Sequence, residues 1–299
     1  MKSIRRIFTL LVALPTLAHA ALNVFACEPE WGALTREIGG DTVKVYTATT
    51  AMQDPHRIEA RPSLIAQMRR ANLVICTGAE LEVGWLPLLQ RESGNAGIQP
   101  GRPGYFEAAR YVAMLDKPAR IDRSQGDVHS AGNPHIQTDP RNIARVGAAL
   151  AQRLAEIDPD NAAAYQARWK AFSARWDAAI ARWQAQAASL KDMPVVVQHK
   201  SFTYLLNWLG LHEVATLEPK PGIEPSVGYL AEVAARLKTT PAKAVLRATY
   251  QNPRASEWLA ERVDIPAIAL PFTVGGAPGT DDLIGLFDVT LAELLKVAG

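Results

Sequence analysis

Hydrophobic and polar positions follow two rhythms along this chain. Short apolar, β-branched runs recur at 22–26, 43–48 and 73–77, with a weaker one at 104–107. Between them apolar residues return every three or four positions, which predicts helices over 30–39, 62–71 and 82–91. Gly39-Gly40-Asp41 stops the first of these ahead of the second strand. The same alternation resumes late in the chain, with strands at 194–198, 213–217, 243–248 and 266–270 and helices at 201–210, 226–237, 253–262 and 282–297. Such alternation predicts parallel sheets covered by helices, an α/β fold.

The middle of the chain has a different pattern. Residues 116–134 are polar and contain glycine, and read as a loop. In "TDPRNIARVGAALAQRLAEI" Asp139 caps a helix, Pro140 opens it, and apolar residues recur at helical spacing. "DPDN" at 158–161 interrupts, and a second helix runs from about 160 to 190, free of proline until Pro194. At ~1.5 Å per residue it is a rod of roughly 45 Å, long enough to brace two lobes. Trp169, Trp176 and Trp183, each preceded by arginine, fall two turns apart on one face and are expected to pack along both lobes. The architecture expected is two lobes, each a parallel sheet flanked by helices, joined by one long rigid linker helix. The divisions are a signal segment at 1–20, an N-terminal lobe at 21–140, linker helices at 141–192 and a C-terminal lobe at 193–299.

The first twenty residues combine Lys2, Arg5 and Arg6, an apolar run from Ile7 to Leu17 too short to span a bilayer, and the small-x-small sequence "AHA". This pattern predicts a secretory signal cut after Ala20. No cysteine sits at the cut to carry a lipid. Removing three basic and no acidic residues takes the formal net charge from +2 to about −1. No basic patch remains, which argues against nucleic acid as a partner. Export makes a disulfide between Cys27 and Cys76 possible, since each ends a short apolar run and adjacent parallel strands would bring them together. Two buried free thiols are the alternative.

Five histidines remain beyond the signal. His56 follows the second strand and His199 follows "PVVVQ", so both stand beyond the carboxyl end of a strand, where open parallel sheets bind ligands. His135 precedes the helix that starts the linker, where the lobes meet. Three imidazoles with a carboxylate or water suit tetrahedral zinc. There is no HExxH, no CxxC and no i, i+4 histidine pair, so taken singly each is as readily a hydrogen-bonded surface residue.

Five segments, in order, resemble the periplasmic zinc- and manganese-binding receptor family of ATP-driven importers. They are "REIGGDTVKVYTATT", "DPHRIEARPSLIAQMRRANLVICTGAELEVGWL", "NPHIQTDPRN", "VVVQHKSFTYLLNWLGL" and "GIEPSVGYLAEV". The resemblance implies His56, His135 and His199 as metal ligands, and a histidine at the third position implies zinc (Zn2+) as the transported ion. The family's late aspartate is missing around Thr273 and Val274, so Asp282 is taken as fourth ligand, with Asp281 or water as alternatives and helix capping as the competing role. His129 lies where relatives carry a histidine-rich loop. It is read as a solvated residue that at most touches metal transiently. His212, Glu59 and Glu224 are read as structural.

The function implied is a periplasmic, monomeric zinc-binding protein. It would capture Zn2+ between its lobes and deliver it to an ABC importer permease in the inner membrane, with a periplasmic metallochaperone as a further partner. The alternatives are an exported zinc-dependent hydrolase using the same histidines, and a receptor for iron chelates or cobalamin. Small rotations and loop rearrangements are expected on binding, mostly in 116–134.

Overall fold

The run LNVFA, Leu22–Ala26, forms β1, and its alternate side chains serve two different cores: Val24 and Ala26 face one side, Phe25 the other. This computed structural model describes residues 20–118, 126 and 128–298. Nearly all of the expected signal segment, and the interior of the 116–134 loop, lie outside the described residues.

β1 pairs in parallel with β2 (Val43–Thr47) on one side and β3 (Leu73–Cys76) on the other, and β4 (Tyr105–Glu107) closes the edge. The order is β2-β1-β3-β4. The second sheet repeats it as β6-β5-β7-β8, from β5 (Pro194–Val197), β6 (His212–Thr216), β7 (Ala244–Ala248) and β8 (Ala267–Leu270), all parallel. In each sheet the winding reverses beside the first strand, the switch point beyond whose carboxyl ends open parallel sheets bind ligands.

Helices α2 (Pro62–Arg70) and α3 (Leu86–Ser93) cover the outer face of the first sheet, and α7 (Val227–Leu237) and α8 (Arg254–Val263) that of the second. The inner faces are not separate. One continuous core runs from Trp31 and Leu34 of α1 (Pro29–Gly39) through α4 (Pro140–Ile157) and α5 (Ala162–Gln186) to Trp208 of α6 (Thr203–Leu209) and Phe287 of α9 (Leu283–Leu295). α5, roughly 37 Å long, fastens to both ends of it. Arg168 bonds Asp41 and Arg175 bonds Glu37 on the first lobe, while Arg182 bonds Asp288 on the second. Trp176 and Trp183 are fully buried against each other and Phe287, with indole N–H groups donated to the Pro140 carbonyl and Asp288. Trp169 is half-buried over α4, where a Cβ on Gly147 would lie 2.4 Å from its ring.

Two element ends differ from the pattern. The long helix gives way at Ala187 to a tight 3₁₀ turn, Ala187–Leu190. The helix expected from 82 starts at Leu86, because the Glu82 carboxylate turns back to accept the Thr77 and Gly78 N–H groups. None of the described helices is long and apolar enough to cross a membrane.

Candidate metal centre

Two of the histidines are set by the same local device. In Asp54-Pro55-His56, Asp54 Oδ1 accepts the His56 backbone N–H at 3.0 Å and its ring Nδ1–H at 2.8 Å. In Asn133-Pro134-His135, Asn133 Oδ1 accepts the same two groups of His135, both at 2.9 Å. An acceptor two residues before the histidine thus fixes backbone and ring together, the Asx-turn logic. Each turn is anchored from outside: Trp85 donates to the Pro55 carbonyl, and Asn133 Nδ2 to the Lys200 carbonyl.

His199 follows β5 at the switch point of the second sheet. Its Nδ1 lies 2.7 Å from Glu218 Oε2, which also accepts the Gly222 N–H at 2.7 Å. Asp54, Asn133 Oδ1 and Glu218 are acceptors, so each ring carries its proton on Nδ1 and presents a lone pair at Nε2. All three Nε2 atoms are buried and lack a hydrogen-bond partner. Buried polar atoms are rarely left so. One ligand atom from each ring can be chosen so that all three lie within 4.8 Å of one another. Burial, followed by the neighbouring imidazoles of His199, His56 and His129, holds His135 well below the usual imidazole range. Its ring therefore meets a cation with no proton to displace.

The ring spacing allows a stricter check. Zn–N bonds of ~2.0–2.1 Å in tetrahedral geometry place imidazole centroids about 5.2 Å apart. The observed centroid separations are 5.3 Å for His56–His135, 5.2 Å for His135–His199 and 5.9 Å for His56–His199. Phe272 stands edge-on to His135 as an apolar wall, and a cleft of about 220 Å³ lined by His56, His199 and Tyr250 reaches the group from one side.

Asp282 does not join them. It is exposed, and its Oδ1 accepts the Gly285 N–H at 2.7 Å as the cap of α9; Asp281 is exposed beside it. Thr273, near the position of the missing acid, bonds Glu30. His129 is closer than the pattern suggested: its ring centroid is 5.4 Å from that of His56. Glu59 and Glu224 are exposed, and Glu224 lines the cleft. His212 opens β6 opposite Pro194. Asp54, Asn133 and Glu218 were not foreseen. The first two left a signal, the repeated acceptor-Pro-His spacing. Glu218 left none, being brought to His199 only by the pairing of β5 with β6.

Cys27 and Cys76 are joined in a disulfide at the switch point of the first sheet. Their sulfurs and Glu82 are as tightly grouped as the imidazoles, but sulfurs bonded to each other offer no thiolate. Glu28, Glu30 and Glu82 are buried around them. Burial pushes Glu30 and Glu82 up to about 7, and burial with the neighbouring Glu82 and Glu30 raises Glu28 well above its ordinary value.

Residues 24–297 match the family described as zinc-uptake complex component A, periplasmic. The chain is 24% identical over 322 residues to the high-affinity zinc uptake system protein ZnuA of Paracoccus denitrificans, covering 96% of this chain and 92% of that one. It is 26% identical over 154 residues to the manganese ABC transporter substrate-binding lipoprotein scaA of Streptococcus gordonii, covering 52% of this chain. The chain spans about half the length of the streptococcal relatives it matches, 47% in that case. A crystal structure of ZnuA superposes with a TM-score of 0.76 over 93% of this chain and 100% of that one, at 23% identity, and shares the fold.

Proposed function

This chain belongs to the family of the periplasmic zinc-uptake complex component A, and on that premise we propose that it captures Zn2+ with His56, His135 and His199 and delivers it to an ABC-type importer in the membrane. The observation that carries the reading is the convergence of three imidazoles to within ligand distance, each with a buried, unpartnered Nε2 and its Nδ1 partner in place. Imidazole donors favour zinc over the harder manganese. The carboxylates of Asp54 and Glu218 behind two of the rings offset part of the ion's charge. Delivery to a permease places the protein outside the cytoplasm, in the periplasm, after export by the segment ending at Ala20. The family is one of solute-binding receptors, and neither it nor these relatives support the hydrolase alternative.

The test is zinc titration in competition with a chromophoric chelator. One tight equivalent per chain is expected, lost separately in His56→Ala, His135→Ala and His199→Ala. Tight binding that survives all three substitutions together ends the reading. An anomalous-scattering map at the zinc edge should place the ion among the three rings.

A further inference from the structure

Three imidazoles leave a tetrahedral ion one ligand short, and Asp282 is committed to a helix cap. We propose that His129 supplies the fourth ligand and that Glu80 positions it through Ser130; this rests on the zinc-receptor reading above.

The first support is spacing. The His129 ring lies 5.4 Å from His56, inside the 5.2–5.9 Å range of the other three pairs and close to the roughly 5.2 Å that tetrahedral imidazole coordination requires. His129 also faces His135 and His199 across one cleft of about 200 Å³, whose walls include Val128 and Asn133. It is not among the three residues whose ligand atoms already converge. Its ring rests against His56, and the proposal requires the side chain to turn toward the other two imidazoles.

The second support is the way the backbone at His129 is held. Glu80 accepts the Ser130 N–H at 2.6 Å and the Ser130 hydroxyl at 2.7 Å, a two-point clamp from the loop after β3. That loop takes an uncommon path to present the carboxylate: Gly78, Ala79 and Glu80 all have positive φ, at 77°, 51° and 68°. Such conformations persist in residues other than glycine only where the surroundings hold them. Here Glu82 ties down the Thr77 and Gly78 N–H groups beneath. On the other side the Gly132 N–H closes a turn onto the His129 carbonyl at 3.1 Å, and Asn133, one residue on, bonds Leu115 and Lys200. The segment carrying His129 is thus fastened to the first lobe by Ser130 and to the second by Asn133. The result is a strap across the mouth of the site with an imidazole on its inner side.

The proposal is tested by X-ray absorption at the zinc edge, which counts imidazole scatterers, and by chelator competition on wild type, His129→Ala and Glu80→Ala. Wild type should show four imidazoles. His129→Ala should show three with one oxygen donor and bind zinc about tenfold or more weakly, with the metal-free melting temperature unchanged. Glu80→Ala should bind several-fold more weakly with a mixed coordination count, an effect a purely structural contact would not produce. Three imidazoles and an oxygen in the wild type, with His129→Ala binding equally well, overturn the inference and leave the zinc-receptor reading standing. Absence of zinc from the wild type overturns both.

Discussion

Replacing Glu218 by Gln removes one negative charge and little else. The amide oxygen can still accept the His199 Nδ1–H and the Gly222 N–H, both now at 2.7 Å from Oε2. The ring keeps its tautomer and orientation, and the change isolates the carboxylate's attraction for the ion. A metal about 2 Å beyond Nε2 stands roughly 6.5 Å from Oε2. A unit charge at that distance from a dipositive ion is worth about 1 kcal/mol at the dielectric of water and about 5 kcal/mol at an effective value near 20. Glu218 keeps 14% of its side chain exposed, so solvent pulls the figure toward the lower end. Outer carboxylates behind metal-binding histidines typically change affinity 10- to 100-fold, about 1.4–2.7 kcal/mol, which falls within that interval. Competition titration of Glu218→Gln against wild type at neutral pH should therefore show zinc affinity reduced 10- to 100-fold, with one equivalent still bound. Unchanged affinity would refute the electrostatic argument. A loss matched by an equal drop in metal-free stability would show that Glu218 only holds the fold.

Asp282→Ala should leave zinc affinity untouched and lower stability by about 1 kcal/mol in urea unfolding, because Asp282 caps α9. Zinc at about a thousand times its dissociation constant should add about 4 kcal/mol to the stability of the folded chain, read as a rise in Tm that disappears in His135→Ala. The folded-state value of Glu30, about 7 against an ordinary 4.5, means that the folded protein holds a proton the unfolded chain has released. Its contribution is complete below pH 4.5 and is lost as pH rises through 7, so Glu30→Gln should gain on wild type by on the order of 1–3 kcal/mol between pH 5 and pH 8. A difference that stays flat with pH would show that Glu30 does not titrate in this range. Serine at both Cys27 and Cys76 removes a link across 49 residues and should cost up to about 4 kcal/mol, measured by urea unfolding with and without reductant.

The parts of the structure legible in the sequence are those set by nearby residues. Asp139 and Pro140 announce α4, and Asp139 does accept the Arg141 N–H. The runs LVIC and PVVV announce buried central strands because a strand covered on both faces needs no polar alternation. The three tryptophans fell where a two-turn spacing placed them. Tertiary placement was not legible. Nothing near His129 says that Ser130 will be clamped by a residue fifty positions earlier. Asp282 at the start of a helix satisfies two roles equally well on paper, and only the Gly285 N–H decides for the cap. The acceptor-Pro-His order at 54–56 and 133–135 is a local signal, and the residue before each proline holds the ring.

The two sheets share one strand order, yet the first has closed the crevice that the second keeps open. At the second switch point His199 emerges beyond β5 into the cleft. At the first, the equivalent ends of β1 and β3 are tied by Cys27–Cys76 and covered by Glu28 and Glu82. The first lobe carries His56 in the next loop outward, after β2, and a carboxylate clamp in the loop after β3. This asymmetry has a mechanical consequence. A single apolar core runs beneath both sheets through Trp176, Trp183 and Phe287, and opening the lobes like jaws would expose it to water. The segments around His56 and His129 lie above that core and are held by a few hydrogen bonds each. Breaking the Glu80–Ser130 clamp costs far less than parting the tryptophans, so under the proposed function entry and release of the ion fall to the strap and the His56 loop, with the core left intact.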